Sequence, residues 1–136
     1  MSHSLVISDR DEARLRRMIA TRQHIHGTPR DSLAMLAAEL DRARILPDTE
    51  IPPDIVRLGS TVELEDLSDG EVLVQTLVLP GEADPSRGRI SILAPLGTAV
   101  LGYRAGDEFR WPVPGGTLHA RIRRVETPES AAQSAA

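Results

Sequence analysis

A proline two residues before a glycine, set between two strand-like runs, constrains this chain more than any other feature. In the stretch from Ile90 to Gly116, ISILAPLGTAVLGYRAGDEFRWPVPGG, Ile90 and Ile92 alternate with Ser91 and lead to Leu93, as in a strand with one buried face. Ala94-Pro95 ends that strand, because proline donates no ladder hydrogen bond and restricts the residue before it. Leu96, Val100 and Leu101 then fall near one face of a short helix. Gly102 and Ala105-Gly106-Asp107 release the chain into a tight turn. Phe109 and Trp111, two apart, share a strand face, and Pro114-Gly115-Gly116 reverses the chain again. None of these residues is an obvious catalytic group, so the stretch predicts a scaffold.

Upstream, the pattern is helical. Asp9 is placed to cap a helix, with Glu12 three residues on. Leu15, Met18 and Ile19 make a narrow apolar stripe among Arg10, Arg14, Arg16 and Arg17. Gln23 to Gly27 interrupts it. Thr28 as cap, Pro29 at the first helical position and Asp31 at the third begin a second helix, from Pro29 to about Arg44. Its Leu33, Leu36, Leu40 and Ala43 step as a heptad seam. Two such helices predict an antiparallel hairpin, either a cover for a core or a projecting coiled coil. Pro47 to Pro53 reads as a linker.

Short strands follow. Val62 and Leu64 alternate with Glu63 and Glu65, and Ser68-Asp69-Gly70 turns the chain into a strand from Glu71 to Leu79. That strand is apolar on both faces, which predicts a central place in the sheet. Pro80 to Gly88 reads as a polar, mobile loop. The closing strand, Thr117 to Val125, turns Leu118, Ala120 and Ile122 inward and His119, Arg121 and Arg123 outward. The fold class expected is α+β: a helical hairpin at 1–46, a linker at 47–52, an antiparallel β domain with one short helix at 53–127, and a disordered tail at 128–136.

Composition removes several kinds of chemistry. The 136 residues carry 16 basic and 20 acidic side chains and no cysteine, so thiol catalysis, thiolate metal sites and disulfides are excluded. Every basic residue is arginine, which rules out a Schiff-base or Walker lysine. A net charge of −4 argues against a protein that coats nucleic acid. No apolar run is long enough to span a membrane and the N-terminus lacks a signal pattern, so a soluble, cytoplasmic protein is expected.

Three clusters are candidate sites. His24 and His26 form an H-x-H with only Asp31 nearby, short of the three or four ligands of a metal site; neither metal nor cofactor is expected. Glu63, Glu65, Asp66, Asp69 and Glu71 read as a solvated acidic face or a contact for a basic partner. His119, Arg121 and Arg123, with Arg110 and Arg124 near, form a basic stripe without interleaved aromatics, suited to a protein partner or to solvent.

The run from Ile90 to Gly116 resembles the C-terminal domain of the bacterial Gre transcript-cleavage factors. It is still more similar to the small Gre relatives called regulators of nucleoside diphosphate kinase. Leu36 to Ala43, Pro53-Asp54-Ile55-Val56, Gly59-Ser60-Thr61-Val62 and Leu67 to Glu71 match in the same order, so the resemblance covers about Ser4 to Thr127. It implies a short antiparallel coiled-coil arm, with His24, His26 and Asp31 at its tip, on an FKBP-like β domain. It also implies a non-enzymatic regulator that docks at the secondary-channel rim of RNA polymerase, with at most indirect contact to nucleic acid, acting as a monomer in competition with Gre factors. In that family the elbow faces the polymerase, which makes Ala94, Pro95, Leu96 and Gly97 the expected docking residues; Gre factors usually carry serine where this chain has Ala94. An alternative is a regulator of nucleotide metabolism acting on nucleoside diphosphate kinase. A remote one is a prolyl isomerase, for which one Tyr, one Phe and one Trp make a thin aromatic wall.

Overall fold

The computed structural model describes residues 5–25 and 30–126. In chain order it has β1 (Val6–Ser8), α1 (Asp9–Arg22), α2 (Arg30–Arg42), β2 (Arg44–Leu46), β3 (Thr61–Asp66), β4 (Val72–Val78), β5 (Arg89–Ser91), α3 (Pro95–Val100), β6 (Glu108–Val113) and β7 (Gly116–Glu126). The fold is α+β: helices at the N-terminus, then a five-stranded sheet in the order β5-β4-β3-β7-β6.

The two N-terminal helices follow the apolar stripes of the sequence, with shifted ends. The cap of α1 is Ser8, one residue before the expected Asp9, and its Oγ accepts from the Asp11 amide at 2.9 Å. Asp9 instead accepts from the Asp48 amide at 3.0 Å, tying the helix start to a 3₁₀ turn at Asp48–Glu50. α2 ends at Arg42, short of Arg44; the expected cap Thr28 and Pro29 lie outside the described residues, as does His26. Arg44 belongs to a strand that periodicity did not suggest, because β2 pairs in parallel with β1, Val6 opposite Arg44 and Ser8 opposite Leu46. The two feet of the hairpin are thereby clasped side by side.

The inner stripes, Leu15 and Ile19 on α1 and Leu33, Leu36 and Leu40 on α2, belong to one apolar core with Val56, Val62, Leu64, Leu77, Ile92, Leu101, Phe109 and Ile122. The hairpin is therefore seated on the sheet. Fully burying each such side chain stabilises the fold by roughly 1.5–3 kcal/mol.

Within the sheet, β3 is the centre, antiparallel to β4 on one side and to β7 on the other. β4 is second from the edge, not central, and its start is exposed. The sheet is also mixed rather than wholly antiparallel. β5 is shorter than the alternation of Ile90 to Leu93 suggests, and it runs parallel to β4 with Thr76 opposite Arg89. A return loop permits this: Pro80–Glu82 and Pro85–Arg87 form 3₁₀ turns, the second capped by Asp84, whose carboxylate accepts from Ser86 N and Oγ at 3.1 and 2.6 Å. No described helix is long and apolar enough to cross a membrane.

Candidate functional site

The elbow after β5 is built by four hydrogen bonds. Ser91 Oγ accepts from the Leu93 amide at 3.0 Å, and the Ser91 carbonyl accepts from Ala94 N at 3.0 Å. Ala94 is the N-cap residue of α3 in extended conformation, and its carbonyl accepts from Thr98 N at 3.0 Å. Thr98 is buried and its Oγ1 donates to the Ile92 carbonyl at 2.6 Å. The helix thus folds back onto the strand that precedes it.

Gly97 makes that return possible. A Cβ there would collide with the Ser91 carbonyl oxygen and lie 3.0 Å from its carbon and 3.2 Å from the Ile92 Cα. Its φ is not positive, so the demand is for space rather than for a left-handed backbone. The four expected docking residues consequently differ in what they offer. Pro95 is exposed, Ala94 and Leu96 are half-buried, and Gly97 is buried. Leu96 also packs against the core. Only Pro95 and the outer flanks of Ala94 and Leu96 are open to a partner; Gly97 acts through shape.

Downstream, α3 leads to Gly102, where sheet and hairpin meet. Gly102 has φ +81° and its missing Cβ leaves room for Val6 O and Leu5 Cβ, 3.2 and 3.3 Å away. Its amide donates to Val56 O at 3.0 Å, and its carbonyl accepts from Val6 N at 3.3 Å. Tyr103 stacks at a tilt on Phe109, ring centroids 5.6 Å apart, so two of the three aromatics are engaged with each other.

A second polar assembly, which local sequence patterns do not reveal, fixes the hairpin to the chain after the linker. The Asp11 side chain on α1 is only 4% exposed and its Oδ2 accepts from the Leu58 amide at 3.1 Å. Arg57 lies between Asp11, at 3.9 Å from Nε, and Asp48, which its Nη2 contacts closely. Arg10 reaches Asp48 at 3.8 Å and Arg14 reaches Asp11 at 3.9 Å. Burial is the largest influence on Asp11 and raises its pKa above the ordinary 3.8; the Leu58 amide and Arg57 pull the other way. Nothing in the spacing of residues 11, 48 and 57 announces this; only tertiary structure brings them together.

Two of the five clustered acids, Glu63 and Glu65, pair with arginines of the basic stripe, while Asp66 and Asp69 accept hydrogen bonds from backbone amides of their own turn. On the outer face Arg123 lies 3.7 Å from Glu63, and Arg121 lies 3.7 Å from Glu65 and 2.6 Å from Glu108. His119 is 3.8 Å from Glu108. The hydrogen bond from Arg121 is the main reason that the Glu108 carboxyl is held below its usual range. The stripe is an alternating-charge ladder across β3, β7 and β6 rather than a basic surface beside an acidic one. At the tip, His24 is exposed and lines a cleft between the helices with Ile19, Arg30, Leu33 and Ala37, and Asp31 is exposed in the first turn of α2. Among the described residues no group of three or more His, Asp or Glu could hold a metal ion.

Comparison with known proteins agrees with this arrangement. A family model described as the C-terminal part of the transcription elongation factors GreA and GreB matches residues 51–127, and one described as the Rnk N-terminus matches residues 3–46. The regulator of nucleoside diphosphate kinase of Escherichia coli K12 is 45% identical over 98 residues, covering 71% of this chain and 72% of that one. GreA of Thermomicrobium roseum is 41% identical over 118 residues, with 74% of each chain covered. The solved structure of a GreA/GreB elongation factor from Nitrosomonas europaea superposes with TM-score 0.73 at 39% identity, over 93% of this chain and all of that one. The chain belongs to the Gre family of transcription elongation factors, in the branch of the regulators of nucleoside diphosphate kinase.

Proposed function

We propose that this protein is a non-catalytic, cytoplasmic regulator of transcription that binds RNA polymerase at the secondary-channel rim through the elbow and competes there with Gre cleavage factors. The observation that carries the reading is the poverty of the hairpin tip beside the care with which the elbow is built. α1 and α2 have 14 and 13 residues, so each reaches only about 20 Å. Between Arg22 and Asp31 the sequence holds a single acid, Asp31, favourably placed at a helix N-terminus. Phosphodiester hydrolysis with a second metal ion needs more than one added carboxylate, delivered to the ion. The elbow, in contrast, offers exposed Pro95 on a backbone locked by Gly97 and Thr98.

The test is a stalled elongation complex with labelled RNA. The protein alone should release no shortened transcript, and with a Gre factor it should suppress cleavage as its concentration rises. Shortened RNA from the protein alone would refute the reading. Pro95→Glu, at an exposed site, should abolish co-purification with polymerase while leaving the melting temperature unchanged; retained binding would remove the elbow from the interface. A second reading rests on the relatives' name: regulation of nucleoside diphosphate kinase by direct contact. Pull-down from lysate, read for kinase against polymerase subunits, separates the two.

A further inference from the structure

One flank of α1 carries an open groove of about 380 Å³. Arg14, Arg17 and Arg22 surround an apolar floor made by Met18 and Ile25 with Leu79, the residue after β4. Met18 and Leu79 rest on the core, whereas Ile25 is 48% exposed. No carboxylate lines the groove. Arg14 lies 3.9 Å from Asp11, a carboxylate that also faces Arg57 and the Leu58 amide. Arg17 and Arg22 form no ion pair among the described residues. On a chain of net charge −4 this flank concentrates positive charge. The sheet does the opposite, since its Arg121 and Arg123 lie beside Glu108 and Glu63.

Helical spacing sets these side chains in two parallel rows. Arg14, Met18 and Arg22 step by four residues along α1. Arg17, Thr21 and Ile25 step likewise, the last through a turn in which the Ile25 amide donates to the Arg22 carbonyl at 3.1 Å. Such rows are ridges, and a neighbouring helix lays its own ridge in the groove between them. The charges that end the first row stand eight residues, about 12 Å, apart with an apolar side chain midway. A partner ridge with a carboxylate, an apolar residue and a carboxylate at successive fourth positions repeats that spacing with opposite charge. The motif is symmetric, so it fits in either direction.

We propose that this groove is a second docking surface, and that its occupant is an acidic amphipathic helix of a partner protein. Charge complementarity selects the acids: unpaired arginines on the rim meet carboxylates, and an apolar side chain between them covers Met18 and Ile25. The floor selects protein over nucleic acid. It is aliphatic and thioether, and no aromatic ring lines it, so bases find no platform to stack on. The groove shares no residue with the elbow, which makes this contact separate from the polymerase docking proposed above. One helix against one flank buries a small area, and the association should be weak.

The probe is a fluorescein-labelled, alanine-rich synthetic peptide of about 18 residues, long enough to populate a helix. It carries glutamate, leucine and glutamate at successive fourth positions. Fluorescence anisotropy with the full chain should give a Kd of roughly 10–100 μM that weakens as salt is added. Arg17→Glu, at an exposed position, should weaken binding at least about tenfold. Ile25→Ser, also exposed, should weaken it about fivefold. Melting temperatures should be unchanged in both. Arg110→Glu, an equal change of charge at an exposed site on β6, should leave binding intact, as should Pro95→Glu in the elbow. A peptide with serine in place of leucine should lose most of its affinity. No binding up to about 1 mM peptide, equal losses from Arg17→Glu and Arg110→Glu, or undiminished binding of the serine peptide would overturn the proposal. So would a labelled oligouridylate that binds more tightly than the peptide and is lost with Arg17→Glu, which would assign the groove to nucleic acid.

Discussion

Replacing Asp11 tests how the hairpin is held to the rest of the fold. Alanine there removes the acceptor of a buried amide, Leu58 N, and one of the two carboxylates beside Arg57, whose Nε is buried with no hydrogen-bond partner. An unsatisfied buried amide costs about 1–3 kcal/mol. Breaking a buried ion pair costs about 3–5 kcal/mol when a charge is left alone, but Arg57 keeps Asp48. The sum for Asp11→Ala is therefore near 3 kcal/mol. With an unfolding entropy of about 2.1 cal/mol/K per residue over 136 residues, the melting temperature should fall by roughly 10 °C. Asp11→Asn keeps an oxygen for Leu58 N and buries no charge, so it should cost no more than about 1 kcal/mol. The sign of the pH dependence follows from the raised pKa of Asp11. The folded state binds this proton more tightly than the unfolded one, so the group's cost is full above its folded pKa and is relieved as pH falls toward 3.8. Asp11→Asn lacks that relief and should lose more stability than the parent on acidification through this window. Urea melts at several pH values would measure all three. An alanine variant within 1 kcal/mol of the parent, or an asparagine variant as damaged as alanine, would refute the reasoning.

Two further outcomes follow from the elbow and the charge ladder. Gly97→Ala should destabilise the fold by about 3 kcal/mol, because a backbone carbonyl rather than a flexible side chain must move, and thermal melts with polymerase pull-down should show stability and binding falling together. Glu108, held below its usual pKa by Arg121, adds stability that is present above its unfolded pKa and is lost as pH falls through the lowered value. Glu108→Gln should flatten that acid limb in a pH series of melts, and an unchanged limb would show that the ion pair does not persist in solution.

Much of the fold is legible in local pattern. The alternation in β3 and β7, the glycine turns and the elbow all depend on residues close in sequence, so a short window contains their cause. The elbow's shape was visible in Pro95 and Gly97, but that Gly97 is buried while Pro95 is open depends on how α3 folds back onto Ser91. Failures occur where the cause is distant. β1 and β2 are three residues each and 38 positions apart in register, too short for a period to emerge. The two-faced apolar pattern of β4 suggested a central strand, whereas the structure pairs only half of its outer edge. Glu63 and Arg123 each looked solvent-facing alone; only the pairing of β3 with β7 places them together.

The clasp between β1 and β2 separates reach from anchorage. Because both feet of the hairpin meet at one parallel pair beside Gly102, the joint is closed before either helix extends far from it. Whole turns could be inserted in α1 and matched in α2 without disturbing the clasp, the Asp11–Arg57 contact or the sheet. Arm length is thus a variable this architecture leaves unconstrained, and proteins built on the same joint can differ in how far they reach while standing on the same base.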